Sequence, residues 1–287
     1  MIKLTFFYTK GGTGKTTLCF NYGWYQAEKR AKRVLFLDFD PQMNLIKSFA
    51  DIPDKAYEMT LEDLIVRRLK KEPVTLSPYL IRVHPNIDIL PCSNNFSQVE
   101  EYLTDYIIER VNRETRKLQS RYRNLFLKQL LDEIILESHY DYVLIDSQPN
   151  YSLLSTTALL YTGRLALIVR PELYSLLDIN YLFKIVDLLK ERFQAEIKVV
   201  GALINGFEPA KTLSRKIAGE YEARIMSRAP VLRQRIRLSS HVPNSITMER
   251  RPVFMTHPDS LVAQDMLAAF AELDGLIQAD GPVPTLP

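Results

Sequence analysis

Thr9-Lys10-Gly11-Gly12-Thr13-Gly14-Lys15-Thr16-Thr17 holds three of the chain's ten glycines within four residues. It lies between an apolar run, Lys3–Tyr8, and a helix-like stretch, Thr16–Arg30. Glycines in such a turn let successive backbone N–H groups point at one anion, and the helix that follows adds the positive end of its dipole. Strand, glycine turn and helix in that order form a phosphate-binding unit. Within it Lys15 is placed to reach the β/γ-phosphates and the Thr16 hydroxyl to ligate Mg²⁺. Gly11, Gly12, Thr13, Gly14 and Thr17 complete the cradle.

Two further apolar runs end in acids. Val34-Leu35-Phe36-Leu37 leads into Asp38 and Asp40, and the i, i+2 spacing puts both carboxylates on one side of an extended chain. Tyr142-Val143-Leu144-Ile145 leads into Asp146, a residue able to hold Mg²⁺ through water. Open α/β sheets bind ligands at the carboxyl ends of their strands, where all three acids fall.

The remaining pattern agrees. Candidate strands at Lys3–Tyr8, Arg33–Leu37, Ile87–Leu90, Tyr142–Ile145, Leu165–Val169 and Lys198–Ile204 alternate with candidate helices at Thr16–Arg30, Leu61–Lys71, Val99–Leu136, Leu176–Phe193, Thr212–Met226 and Ser260–Ile277. Alternation of this kind predicts an α/β fold, an open, mostly parallel twisted sheet with helices on both faces. A single domain over 1–287 is the simplest division, with a helical elaboration at about 96–138 and a flexible tail at about 279–287. Asn112–Lys117 interrupts the apolar stripe of the elaboration, so one long helix or two shorter ones both fit.

Thr9 stands where the standard phosphate loop has its first glycine, and Lys10 adds a second lysine at the loop's start. This pattern resembles the deviant Walker A box of the ParA/MinD family of P-loop ATPases, on its ParA branch. Asp38-Phe39-Asp40-Pro41-Gln42 with Asn44 resembles that family's second box. The likeness continues at Ile87–Pro91, Arg170–Ser175, Gly201–Phe207, Arg237-Leu238-Ser239 and Arg251-Pro252-Val253. Ser147-Gln148-Pro149 departs from it, keeping only the second of two usual prolines. The resemblance implies a Mg²⁺-dependent ATPase that closes as a homodimer over ATP. In it Lys10 reaches the partner's phosphates, Asp40 orients the attacking water and Asp38 helps to hold the water shell of Mg²⁺. It further implies that Asn205 contacts adenine and Pro171 walls the base.

The net charge is only +3, yet residues 110–128 carry +6, residues 209–253 carry +7 and the remainder −10. Such segregation fits either a polyanionic partner or two solvated helix faces. The resemblance favours non-specific DNA, contacted by Lys211 and Arg237 with Arg233, Arg235, Arg250 and Arg251 nearby. The expected activity is a DNA-partition or positioning cycle for a plasmid, chromosome or protein assembly, with hydrolysis stimulated by a ParB-like or other cargo adaptor. The two cysteines, Cys19 and Cys92, cannot supply a paired-cysteine cluster site. The longest apolar run is far short of a membrane span, and residues 252–287 hold five acids and no Lys or Arg. These features predict a cytoplasmic protein that is not membrane-anchored, and the resemblance implies that it is nucleoid-associated when ATP-bound. A nucleotide-switched regulatory protein and a small-molecule P-loop ligase or kinase are the alternatives.

Overall fold

The computed structural model describes residues 1–50, 52, 59–92, 99, 101–103, 105, 116–136, 139–172 and 176–281. The strands are β1 (Ile2–Phe7), β2 (Val34–Phe39), β3 (Ile81–His84), β4 (Ile87–Leu90), β5 (Tyr142–Ser147), β6 (Arg164–Val169), β7 (Lys198–Phe207) and β8 (Ile236–Arg237). They form one sheet in the order β3-β4-β2-β5-β1-β6-β7-β8. Every pairing is parallel except β3 with β4. The glycine turn follows β1, which is flanked by β5 and β6, so it opens where the chain's crossovers change direction.

β2, β4, β5 and β6 are buried along their whole length, as continuous apolar runs require when both faces are covered. Helices α1 (Lys15–Arg30) and α7 (Leu261–Asp280) pack on one face against Leu4, Phe6, Val34, Phe36 and Leu144. The other face carries α2 (Leu61–Leu69), α3 (Arg116–Leu136) and α4 (Leu153–Thr162) over Leu35, Leu37, Val143 and Ile145. Beside them α5 (Leu176–Phe193) and α6 (Thr212–Met226) cover Leu165, Leu167, Val199 and Ile204. Alternate residues of each strand thus feed opposite cores.

The expected sheet and all six expected strands are present, with shifts of at most three residues at their ends. Of the strands and helices labelled above, three were not expected. α4, Leu-Leu-Ser-Thr-Thr-Ala-Leu-Leu-Tyr-Thr, is apolar all round and buried from Leu154 to Thr162, so it has no amphipathic stripe to read. Its start is fixed by a capping box in which the Ser152 hydroxyl accepts from the Ser155 N–H. β3 and β8 are short edge strands of four and two residues. In the elaboration, Arg116–Leu136 is one helix; the Asn112–Thr115 part of the interruption, and the tail beyond Gly281, lie outside the described residues. No helix among the described residues is long and apolar enough to cross a membrane.

α1 seats close to the sheet because Gly23 has no side chain. A β-carbon there would stand 2.0 Å from the Phe36 ring, whereas one at Gly219 on α6 would meet nothing within 4 Å. Gly23→Ala should therefore cost about 1–3 kcal/mol through overpacking. Gly219→Ala should be neutral or stabilising by about 0.5–1 kcal/mol. Thermal unfolding of the two variants checks this; equal melting temperatures would contradict the packing argument.

Candidate functional site

Gly12 and Gly14 adopt φ values of 74° and 95°, in the left-handed region that glycine occupies without strain. Gly14 is also the N-cap of α1, with no side-chain cap, so the first N–H groups of the helix face the turn. Asn205, near the end of β7, presses on this glycine. Its Nδ2 donates to the Thr13 carbonyl at 2.8 Å, and a β-carbon on Gly14 would stand 2.2 Å from that nitrogen. Asn205 thus braces the loop in this nucleotide-free geometry.

Lys15 is buried to 7% exposure, and its Nζ donates to the Lys10 carbonyl at 3.0 Å, curling back over the turn. Burial lowers its pKa, and the carboxylates of Asp146 and Asp40 oppose that shift. The Lys10 ammonium pairs with Glu172 at 2.7 Å. Pro171, beside it after β6, is half-buried.

Asp38 and Asp146 are direct neighbours across the β2–β5 ladder, and both are fully buried. One Asp38 oxygen accepts from the Ile46 N–H at 3.1 Å and the other from the Asp40 N–H at 3.2 Å. One Asp146 oxygen accepts from the Thr16 hydroxyl at 2.6 Å, and the other, Oδ1, has no partner among the described residues. Burial pushes the Asp38 carboxyl up to about 7, with backbone donors opposing and the Asp40 charge adding to it. Burial, then the neighbouring Asp38 charge, raises Asp146 as well. Two like charges side by side out of water call for a cation. An orphaned carboxylate oxygen beside the Thr16 hydroxyl is what a Mg²⁺ bound through water, hydroxyl and phosphate would satisfy. Among the described residues no group of three or more His, Cys, Asp or Glu side chains is placed to hold a metal ion.

Asp40 is half-exposed at the mouth, its carboxylate accepting from the Gln42 N–H at 3.0 Å. The glycine turn, Lys15, Thr16, Thr17, Asp40, Asn44, Gln148 and Pro149 line one cleft of about 750 Å³. Gln148 donates to Ser152 at 2.5 Å, tying the departure from the Pro-Pro pattern to the cap of α4. Sequence reasoning missed four contributors to this cleft, Lys47, Ser48, Ile246 and Thr247. They carry no motif and reach it only through the fold. A second cleft, of about 510 Å³, opens at the amino ends of the strands among Arg33, Arg82, Asp88 and Tyr140, and has no glycine turn.

The six basic residues expected at DNA do not share one environment. Arg237 grips the buried Asp265 through Nε and Nη2, at 2.5 and 3.0 Å. Arg235 pairs with Glu222 at 2.7 Å and lies over the Phe207 ring; Lys211 pairs with Glu208 at 2.6 Å. Arg250 lines the phosphate-loop cleft and donates to the Lys47 carbonyl. Arg233 and Arg251 are exposed, with no side-chain partner among the described residues.

A family model described as an AAA domain matches residues 1–199. An uncharacterized protein of Mycobacterium tuberculosis is 30% identical over 210 residues, 72% of this chain and 59% of that protein. The cell division protein PomZ of Myxococcus xanthus is 28% identical over 265 residues, 90% of this chain and 73% of that protein. Among solved structures, apo McdA of Cyanothece superposes with a TM-score of 0.75 at 20% identity, covering 96% of this chain and all of the other. Cobyrinic acid a,c-diamide synthase of Mycobacterium smegmatis, with a bound ATP analogue and magnesium, gives 0.72 at 21% identity over 100% of this chain and 99% of the other. At these identities the two superpositions speak to the fold. The deviant phosphate loop, the two acid-ended strands and the matched family model agree: the chain belongs to the ParA/MinD family of deviant Walker A P-loop ATPases, Mg²⁺-dependent hydrolases of ATP.

Proposed function

We propose that this ATPase is a positioning or partition protein: it dimerises on ATP, binds DNA non-specifically in that state and is released when an adaptor stimulates hydrolysis. The observation that carries the reading is the cleft itself. Its lining joins the glycine turn and Lys15 to a half-exposed Asp40, with little enclosure on the solvent side. A site so open needs a second body to exclude water from the reaction, and a second copy of the chain supplies one. The names of PomZ and of the Myxococcus xanthus chromosome partitioning protein ParA, 26% identical over 215 residues, support the same reading.

In this mechanism the N–H groups from Gly11 to Thr17 hold the phosphates and Lys15 neutralises the transferring group. Asn205, now on the Thr13 carbonyl, and Pro171 flank the base. Lys10 exchanges Glu172 for the partner's phosphates. Asp40 orients the attacking water, a task that needs placement more than basicity. Thr16, Asp38 and Asp146 hold Mg²⁺, which when bound offsets the charge of the phosphate oxygens. On the DNA face Arg233 and Arg251 are the available cations, while Lys211, Arg235 and Arg237 must first leave their acidic partners.

The synthase-like alternative, a small-molecule ligase, draws on the cobyrinic acid a,c-diamide synthase fold. Steady ATPase assays with and without DNA separate the two. Turnover that needs no small-molecule acceptor and rises with DNA plus adaptor supports positioning; turnover only with a carboxylic acid acceptor overturns it.

Asp40→Ala should lower turnover by about 10²-fold or more while leaving ATP binding intact; unchanged turnover removes Asp40 from its role. DNA affinity should fall linearly in log–log form with salt, and Arg233→Ala and Arg251→Ala should each reduce that slope by about 1. Binding that is sequence-selective and indifferent to salt would contradict this. Arg237→Ala should instead lower the melting temperature, since it leaves the buried Asp265 with the Gln234 amide and one backbone N–H but no cation.

The raised Asp38 carboxyl also gives a pH signature. Between the unfolded value of about 4 and the folded value of about 7, the native state holds a proton that the unfolded chain has lost. Stability of the nucleotide-free protein should therefore fall as pH rises through this window, and Asp38→Asn should flatten the dependence. Denaturant unfolding at stepped pH checks it. A wild-type stability that rises over the same range would contradict the assignment.

A further inference from the structure

Arg250 has a place that a surface DNA contact does not require. It ends the wide turn Ser245–Glu249 at φ 51°, a left-handed conformation that favours glycine. From there its guanidinium lines the phosphate-loop cleft and donates to the carbonyl of Lys47, 203 residues away. Lys47 directly follows Ile46, whose N–H is one of the donors on the buried Asp38 carboxylate. The Lys47 N–H returns to the Met43 carbonyl at 3.2 Å, and the Lys47 ammonium to the Gln42 carbonyl at 2.7 Å. Gln42 in turn donates its N–H to Asp40. One guanidinium therefore anchors, through a single carbonyl, the segment whose backbone N–H groups aim both acids of the second motif.

We infer that Arg250 is a positioning residue for hydrolysis: it ties the 241–257 segment to the Asp40–Ser48 loop and so holds Asp38 and Asp40 in their working geometry. The inference rests on the chain's ATPase chemistry and is independent of DNA partition. A hydrogen bond from a charged donor to a backbone carbonyl is stronger than a neutral one and directional. The other hydrogen bonds of the Asp40–Ser48 loop among the described residues are short-range, among them Met43 N–H to the Asp40 carbonyl and Ser48 Oγ–H to the Asn44 carbonyl, while the buried Leu45 packs into the core beside α1. The link also joins the cleft to the exposed Arg251, so that a partner bound at the 250–251 turn would act on the same loop.

The test uses the full chain and three proteins: wild type, Arg250→Gly and Arg250→Lys. Glycine removes the guanidinium and suits the positive φ, so the fold is preserved; lysine keeps a cation. Hydrogen exchange of the nucleotide-free proteins reads the loop directly. Arg250→Gly should speed exchange of the Ile46 amide about tenfold without altering β1 or α1. Its kcat without DNA should fall about ten- to a hundredfold with KM for ATP within about twofold of wild type, and Arg250→Lys should recover part of both effects. Unchanged exchange at Ile46 overturns the inference, as does a loss confined to DNA affinity with DNA-free turnover intact. Faster exchange with the kcat pattern absent also overturns it. Were the wild type itself inert toward ATP, the ATPase reading would fail, and unaltered Ile46 exchange would still count separately against the tether.

Discussion

Two carboxylates, Asp38 and Asp146, sit opposite one another on adjacent parallel strands, without exposure to water, and much of the molecule is arranged around that unfavourable pairing. The Asp38 oxygens are held by the backbone N–H groups of Ile46 and Asp40, and one Asp146 oxygen by Thr16, while the last oxygen has no partner among the described residues. The resting protein answers by holding a proton near neutrality. A divalent cation brought in with a triphosphate would displace that proton and satisfy the free oxygen. The pair therefore costs the fold stability that a bound cation would restore.

The scaffold supports this by close approach. Gly23 lets α1 lie directly on the Phe36 ring, so the helix that starts the phosphate cradle is fixed against the strand that ends in Asp38. Asn205 closes the other side, against Gly14. The carboxyl-terminal part of the chain contributes through Ile246, Thr247 and Arg250, which reach the cleft from a turn packed beside α1, where the Val253 N–H donates to Asn21. Phosphate loop, acid loop and basic carboxyl-terminal turn thus meet in one cleft.

Much of this was legible in the residues. Gly11 to Gly14 with Lys15 announced the cradle because a phosphate loop needs its glycines and lysine at fixed intervals, and Asp38, Asp40 and Asp146 were found because each ends an apolar run. Helix α4 escaped because Leu153–Thr162 is buried on every side and offers no period. Arg250 and Arg237 were expected at DNA from the family resemblance; their contacts with the Lys47 carbonyl and with Asp265 were not legible, because only the fold brings Arg250 to Lys47, 203 residues away, and Arg237 on β8 to Asp265 on α7, 28 residues away.

The central claim is that the open cleft becomes a complete site when two chains close on bound nucleotide. Sedimentation velocity at several protein concentrations, in Mg²⁺ and a saturating non-hydrolysable ATP analogue, tests it most directly. The account predicts a shift from single chains to a two-chain species binding one nucleotide per chain, absent with ADP. A chain that binds the analogue in Mg²⁺ yet sediments singly at every concentration would contradict it.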